Sequence, residues 1–357
     1  QECANGRYIE PVFNRLDIKK DIVYAKKRQS DGREIALAYD VYQPFGDTLS
    51  LRPVMLLIHG GAYIKLIDQN SPDIVEMCKY FARRGYVTMS LDYRQEPNPL
   101  ALFSEETMIK AVARALVDTK DAVDHMIRTV SNGNPYRLDT TRAFIGGVSA
   151  GALSSVFITY LDSLAMMPPQ YQQWVVEAIG DSADYILKHR FDLVRPKAAL
   201  IISGATLDTS WIVNNGIDLF LNHGSADGIV PYRYGYPLGI TSLPKIYGGK
   251  DMYPRALNQG IRVVFEDWPG RGHVPFMNLA FPDIIGGLLN PEIFDSTMRH
   301  IAHFIYPSLN CGSIISGIKQ NNLGKLNLYP NPNRGDFTVQ LPKGNAEWRL
   351  QVYSTTG

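Results

Sequence analysis

Apolar residues gather along this chain in short blocks. They are VMLLIH at 54–59, YVTMSLDY at 86–93, AFIGGVS at 143–149, AALIISG at 198–204, LFLNHG at 219–224 and RVVFEDW at 262–268. Continuous rather than alternating apolarity is the mark of a strand covered on both faces, because neither face meets water. Between several blocks lie stretches of helical period at 71–84, 104–130, 150–162 and 291–305. The longest carries Met108, Val112, Ala115, Ala122, Met126 and Val130 along one stripe. Pro291 opens the last, at a first-turn position that does not need its missing N–H. DIVYAKK and EIALAYDVYQP read as two earlier strands joined by the turn SDGRE at 30–34. Strands alternating with helices predict an α/β three-layer sandwich around a mostly parallel central sheet.

Two segments break this rhythm. Residues 163–196 and 232–259 are rich in Tyr, Pro and Met. Each is either an excursion over the sheet edge that walls a substrate site, or a layer packed between helices; the pattern leaves both open. The composition changes again near residue 311. Residues 1–310 form the large domain, 311–324 read as a linker, and 325–357 show short alternating strands with polar turns, a small all-β module. Within that module Arg334-Gly335-Asp336 reads as a hairpin turn rather than an adhesion signal.

Composition narrows the function. With 45% hydrophobic and 20% charged residues in 357, the chain can bury a large core. Its 36 basic and 35 acidic residues leave a net charge of +1, which offers no electrostatic footprint for nucleic acid or an anionic membrane. No uninterrupted apolar stretch of about 18 residues predicts a membrane span. The sequence starts at Gln1 without a basic, then apolar, leader, which either a removed signal peptide or a trimmed start accounts for. Cys78 shares a helical face with Ile74 and Phe81 and reads as core. Cys3 and Cys311 bracket the large domain; they are either a disulfide that staples its ends in an oxidising compartment or two unrelated thiols. No cysteine spacing points to a metal. His300 and His303 are spaced like ligands, but no carboxylate accompanies them, so they read as solvated helix surface.

Four local signals carry chemistry. The first is GVSAG, Gly147 to Gly151. A nucleophile on a tight strand-to-helix turn needs small neighbours, and Gly147 and Gly151 flank Ser149 at i−2 and i+2. The second is HGGAY, His59 to Tyr63, at the end of a strand. Its small residues free backbone N–H groups, so Gly61 and Ala62, completed by Ala150, are candidate oxyanion donors, with Gly60 keeping the loop small. His59 itself reads as a residue that holds this loop by hydrogen bonds. The third is HGSADGIVPY, which sets Asp227 beyond a strand's carboxyl end, where open α/β sheets place their sites. Asp118, Asp121, Asp124 and Asp267 are its rivals. The fourth is GRGHVPF: of seven histidines, His273 alone combines a glycine-bracketed loop with a position after the last strand. Ser149, Asp227 and His273 follow the chain order expected for nucleophile, acid and base on such a sheet. This chemistry needs no metal or organic cofactor.

With HGGAY, YRQ, GVSAG, SADGIVPY and GHVPF, residues 5–307 resemble the α/β-hydrolase superfamily. Within it they are similar to carboxylesterases related to hormone-sensitive lipase and to bacterial feruloyl or acetyl esterases. NPYRLDTTRAFIGGVSAG matches that group's lead-in to the nucleophile. Ala62 stands where many relatives have glycine, and the long 232–259 segment makes the substrate pocket hard to transfer. LYPNPNRGDFTVQL followed by LQVYSTTG resembles the C-terminal sorting domain of the Bacteroidetes type IX secretion system, with its end missing. The resemblance implies a secreted or cell-surface serine ester hydrolase whose tail engages the secretion machinery. It implies short-chain or aromatic esters as substrates: acetylated or feruloylated polysaccharide, or polyesters such as poly(ethylene terephthalate) (PET). An aromatic wall from 163–196 and 232–259 is the corresponding expectation for the pocket. The rival readings are a serine peptidase of the same fold and a non-catalytic surface adhesion module.

Overall fold

Eight strands form one central sheet in the order β1-β2-β4-β3-β5-β6-β8-β11. They are β1 (Leu16–Arg28), β2 (Glu34–Pro44), β3 (Arg52–Ile58), β4 (Val87–Leu91), β5 (Leu138–Val148), β6 (Ala198–Ile202), β8 (Asp218–Gly224) and β11 (Val263–Trp268). Residues 2–65, 67–278, 288–311, 327–329 and 338–340 are described in this computed structural model. The β1–β2 and β2–β4 pairs are antiparallel; every pairing from β4 to β11 is parallel. Three short strands, β7 (Ala205–Thr206), β9 (Tyr234–Gly235) and β10 (Ile246–Gly248), make a separate small sheet. β12 (Met277–Asn278) pairs with β13 (Leu288–Leu289).

Side chains explain the layers. Along β3, Val54, Leu56 and Ile58 enter one core and Met55 and Leu57 the other; β5 and β6 divide their residues in the same way. The first core is closed by α2 (Glu105–Arg128), α3 (Ala150–Tyr160) and α6 (Gly249–Asn258), the second by α1 (Pro72–Ala82) and α7 (Pro291–Ile305). Both faces of the parallel strands are therefore dry, as their unbroken apolarity requires. Cys78 lies inside the second core with no exposure, and burial pushes its thiol up to about 12. Two further helices, α4 (Pro169–Ile179) and α5 (Ala183–Lys188), belong to the 163–196 segment and pack on α2 through Val175 and Leu187.

Cys3 and Cys311 are joined in a disulfide, with Cα atoms 5.6 Å apart and a sequence separation of 308. The chain divides into two units, Gln1–Cys311 and Gly312–Gly357. In the second, β14 (Asn327–Tyr329) and β15 (Thr338–Gln340) pair antiparallel. Arg334-Gly335-Asp336 and the rest of the tail lie outside the described residues. No described helix is long and apolar enough to cross a membrane.

Candidate active site

β5 stays buried to Val148 and α3 begins at Ala150, so Ser149 alone makes the turn. It does so at φ 55°, ψ −121°, backbone that costs a residue with a Cβ about 1–3 kcal/mol. The Ser149 N–H donates to the Ile202 carbonyl of β6 at 2.9 Å and ties the turn to the neighbouring strand. The flanking glycines are a requirement of space. A Cβ on Gly147 would sit 2.5 Å from the carbonyl carbon of Gly151, and one on Gly151 only 2.0 Å from the Ile58 oxygen. The end of β3 and the start of α3 meet here backbone to backbone.

The parallel strands bring the other groups to the same end of the sheet. Ser149 Oγ lies 2.8 Å from His273 Nε2, and His273 Nδ1 lies 2.8 Å from Asp227 Oδ2. The carboxylate accepts, so the imidazole proton is on Nδ1 and Nε2 is left to accept from the serine. Asp227 Oδ1 takes the N–H groups of Ile229 and Val230, at 2.8 and 2.9 Å. A second histidine, His223, completes the clamp with Nε2 3.1 Å from Asp227 Oδ2 and 3.1 Å from the Val230 carbonyl. Its Nδ1 accepts the Gly249 N–H at 3.2 Å, which assigns its proton to Nε2. Burial alone pushes the Asp227 carboxyl up, but electrostatic attraction to His273 and His223 and the hydrogen bonds from both outweigh it and hold the group well below the ordinary carboxylate range. Behind the base, Val274 turns at φ 52° and its N–H donates to Ser203 Oγ at 3.0 Å.

The HGGAY loop is braced from three sides. Gly61, Ala62 and Tyr63 take φ values of 101°, 52° and 60° in succession. Among the described residues, the N–H groups of Gly61 and Ala62 find no acceptor, and Ala62 and Ala150 line the cleft beside Ser149. Gly60 is pressed so close that an added Cβ would stand 3.2 Å from Ser149 Cβ. His59 is fully buried; its Nδ1 donates to the Gly60 carbonyl at 2.8 Å and its Nε2 lies 3.2 Å from Asp92 Oδ1. Tyr93, from the YRQ stretch, stacks on that imidazole and donates its hydroxyl to Gly60 O at 2.8 Å. Tyr63 donates to the Ala150 carbonyl at 2.7 Å and couples the loop to the nucleophile's helix.

Ser149 opens onto a cleft enclosing about 720 Å³ of empty space, its mouth included. The walls are mainly aliphatic, with Met108, Val112, Leu153, Leu207, Ile229 and Leu238 among them; among the described residues Tyr63 and Phe157 are the aromatic contributors, and neither comes from the two unusual segments. The expected aromatic wall is therefore corrected. Segment 232–259 does line the cleft, but through Pro237, Leu238, Leu243, Pro244 and Ile246. Its tyrosines face elsewhere: Tyr232 donates to Asp267 at 2.7 Å, and Tyr234, half exposed, stacks on Tyr247. A phenol keeps its hydroxyl wet or bonded, which an aliphatic cleft does not offer. Segment 163–196 contributes nothing to the wall and acts as a packing layer over α2.

Residues 39–175 match the protein family model described as BD-FAE. That span contains HGGAY and GVSAG; Asp227 and His273 lie beyond it. No curated protein matches the chain. Among solved structures it is similar to esterase 2 of Thermogutta terrifontis. The native form is 16% identical with a TM-score of 0.54, covering 89% of this chain and 100% of that one. A propionate-bound form is 17% identical with a TM-score of 0.53, covering 82% and 94%. A form phosphoramylated by tabun is 16% identical with a TM-score of 0.53, covering 83% and 96%. The fold is that of an α/β-hydrolase.

Within this fold the rival carboxylates are engaged elsewhere. Asp118 is buried against Arg94, Asp121 pairs with Lys27, Asp124 with Lys120, and Asp267 with Tyr232 and Lys250. His300 does have a carboxylate after all: Glu266 of β11 lies 2.7 Å away and raises its pKa, a partner 34 residues distant that local spacing does not reveal. No group of three or more metal-ligating side chains occurs among the described residues. Sequence reasoning passed over His223, Tyr63, Tyr93 and Asp92. The signal available for His223 was its place four residues before Asp227, at the end of a buried strand.

Proposed function

We propose that this α/β-hydrolase is a serine carboxylic-ester hydrolase. The observation that carries the reading is the unbroken relay from Ser149 through His273 to a buried Asp227, set at the mouth of an aliphatic cleft. Ser149 Oγ attacks the ester carbonyl while His273 Nε2 takes its proton. The tetrahedral oxyanion is held by the N–H groups of Gly61, Ala62 and Ala150. His273 then returns the proton to the leaving alcohol, and water, activated by the same imidazole, frees the acyl group from Ser149. Asp227 keeps the imidazole in its working tautomer and offsets its charge during transfer.

The aliphatic walls favour short aliphatic esters over aromatic ones as substrates. The similar Thermogutta terrifontis esterase has been seen with propionate and with butyrate bound, which supports the same direction. We place the enzyme outside the cytoplasm: the Cys3–Cys311 disulfide suits an oxidising compartment, and residues 325–357 resemble a type IX sorting module that would engage the secretion machinery.

The test is a panel of p-nitrophenyl acetate, butyrate and octanoate, methyl ferulate and bis-hydroxyethyl terephthalate, with Ser149→Ala beside the native protein. Hydrolysis of the short aliphatic esters, lost by about 10⁴-fold or more in the variant, is the expected result. Folded native protein that hydrolyses none of them overturns the reading.

A further inference from the structure

The peptide unit that joins Gly60 to Gly61 has two edges with different partners. Its N–H is one of the candidate oxyanion donors. Its carbonyl points the opposite way, because a trans peptide sets the two groups on opposite sides of one plane. That carbonyl accepts two hydrogen bonds, from His59 Nδ1 at 2.8 Å and from the Tyr93 hydroxyl at 2.8 Å. The Gly61 N–H has no acceptor among the described residues. Donors on the carbonyl fix the plane and draw electron density from its far edge, which makes the N–H a stronger donor.

His59 stands between two acceptors. Its Nδ1 faces the Gly60 carbonyl, its Nε2 faces Asp92 Oδ1 at 3.2 Å, and the ring is fully buried. A neutral imidazole has one N–H, so one of these contacts would set lone pair against lone pair. An imidazolium satisfies both. The second proton belongs on the ring rather than on the carboxyl, because Asp92 Oδ1 also accepts the Tyr93 N–H at 2.9 Å and the Gln95 side-chain amide at 3.3 Å. Burial opposes the charge; the carboxylate and the face of Tyr93, stacked with centroids 4.4 Å apart, offset it.

We propose that His59 is an imidazolium, paired with Asp92, that positions and polarises the Gly60–Gly61 peptide so that its N–H holds the oxyanion. This rests on the ester-hydrolase reading above and adds a positioning residue to it, one that acts through the peptide rather than on the ester. Among the described residues, Asp92 and Tyr93 are the titratable side chains that face the ring. Tyr63 lies beyond Tyr93, with ring centroids 5.9 Å apart, and burial pushes both phenols far above their ordinary range. Asp73 of α1 acts on Tyr93 from further off. The start of α3, pressed against the His59 carbonyl at Gly151, brings no ionisable side chain.

The experiment reads the ring and the reaction separately. Nitrogen NMR of protein carrying isotope-labelled histidine, at pH 7 and without substrate, reports the charge; the His59 signals are those lost in His59→Asn. An imidazolium shows two protonated nitrogens, a neutral ring one of each kind. Rates on p-nitrophenyl butyrate report the reaction, as does the affinity of a trifluoromethyl ketone, whose adduct with Ser149 carries an oxyanion. Asp92→Asn keeps the side chain's shape and removes the charge that retains the second proton. Losing an oxyanion donor outright costs about 10²–10³-fold in kcat. Here the donor stays and loses only its polarisation, so kcat and ketone affinity should fall together by about tenfold, with KM unchanged and His59 neutral. In the native enzyme, where no substitution intervenes, kcat should fall at alkaline pH in step with conversion of the ring signals to the neutral pattern. A merely structural brace would not tie the rate to the ring's charge, and this measurement stands should Asp92→Asn fail to fold. A neutral pattern at pH 7 in an active native enzyme, or full kcat in a variant whose His59 is neutral, overturns the inference alone. A folded native protein inactive on every ester overturns the ester reading, and the role assigned to His59 with it.

Discussion

His223→Asn tests whether the second histidine of the Asp227 clamp contributes to stability, to rate, or to both. Asparagine keeps a carbonyl oxygen near the position of Nδ1, so the Gly249 N–H retains an acceptor, but it no longer reaches Asp227. The lost bond is to a buried carboxylate, and hydrogen bonds to charged groups are worth about 1.5–3 kcal/mol. His223 divides its single proton between Asp227 Oδ2 and Val230 O, at 3.1 Å each, so the lower part of that range applies. The expected loss of unfolding free energy is about 2 kcal/mol. The rate should suffer far less than in Asp227→Asn, where about 10⁴-fold is expected. Asp227 still holds the N–H groups of Ile229 and Val230, and His273 keeps its partner. A fall in kcat of about tenfold follows, with KM unchanged. His223→Gln, long enough to carry a donor to the Nε2 position, should recover most of both. Urea denaturation and initial rates on p-nitrophenyl butyrate measure the two quantities. Unchanged stability in the Asn variant would refute the clamp, and a folded variant as inactive as Asp227→Asn would make His223 part of the chemistry itself.

Two other predictions follow from the framework around the site. The disulfide joins residues 308 apart, and chain entropy assigns such a closure about 6 kcal/mol, so Cys3→Ser or a reducing agent should lower the urea midpoint markedly; an unchanged midpoint refutes the staple. Burial pushes the Asp47 carboxyl up, but the Arg7 guanidinium, bonded to it at 3.0 and 2.7 Å, brings its pKa below the ordinary value. A depressed carboxylate stabilises fully above its unfolded pKa of about 3.9, and that contribution is lost as pH falls through the folded value. Asp47→Asn should thus cost about 3 kcal/mol at pH 7 and progressively less below pH 4; an equal penalty at both pH values refutes the ion pair.

Local patterns made much of this protein legible before folding. Unbroken apolar blocks identify strands that will be covered on both sides, whatever covers them. GVSAG announces a backbone that allows no Cβ at 147 or 151, and the structure shows why: the Ile58 backbone presses on both places, joined by Gly151 at the first and His59 at the second. The order Ser149, Asp227, His273 is readable because each residue follows its own strand, and parallel strands deliver their carboxyl ends to one edge. The tyrosines of 232–259 misled because composition says nothing of direction: β9 and β10 turn them outward and hand the cleft to prolines and leucines. His223 and Glu266 stayed hidden for a related reason, since their partners are set by how separate segments pack. Sequence alone determines the conformations a segment prefers and the chemistry it carries. Tertiary structure decides which side chains face one another across a buried space, because that depends on contacts between segments no local pattern relates.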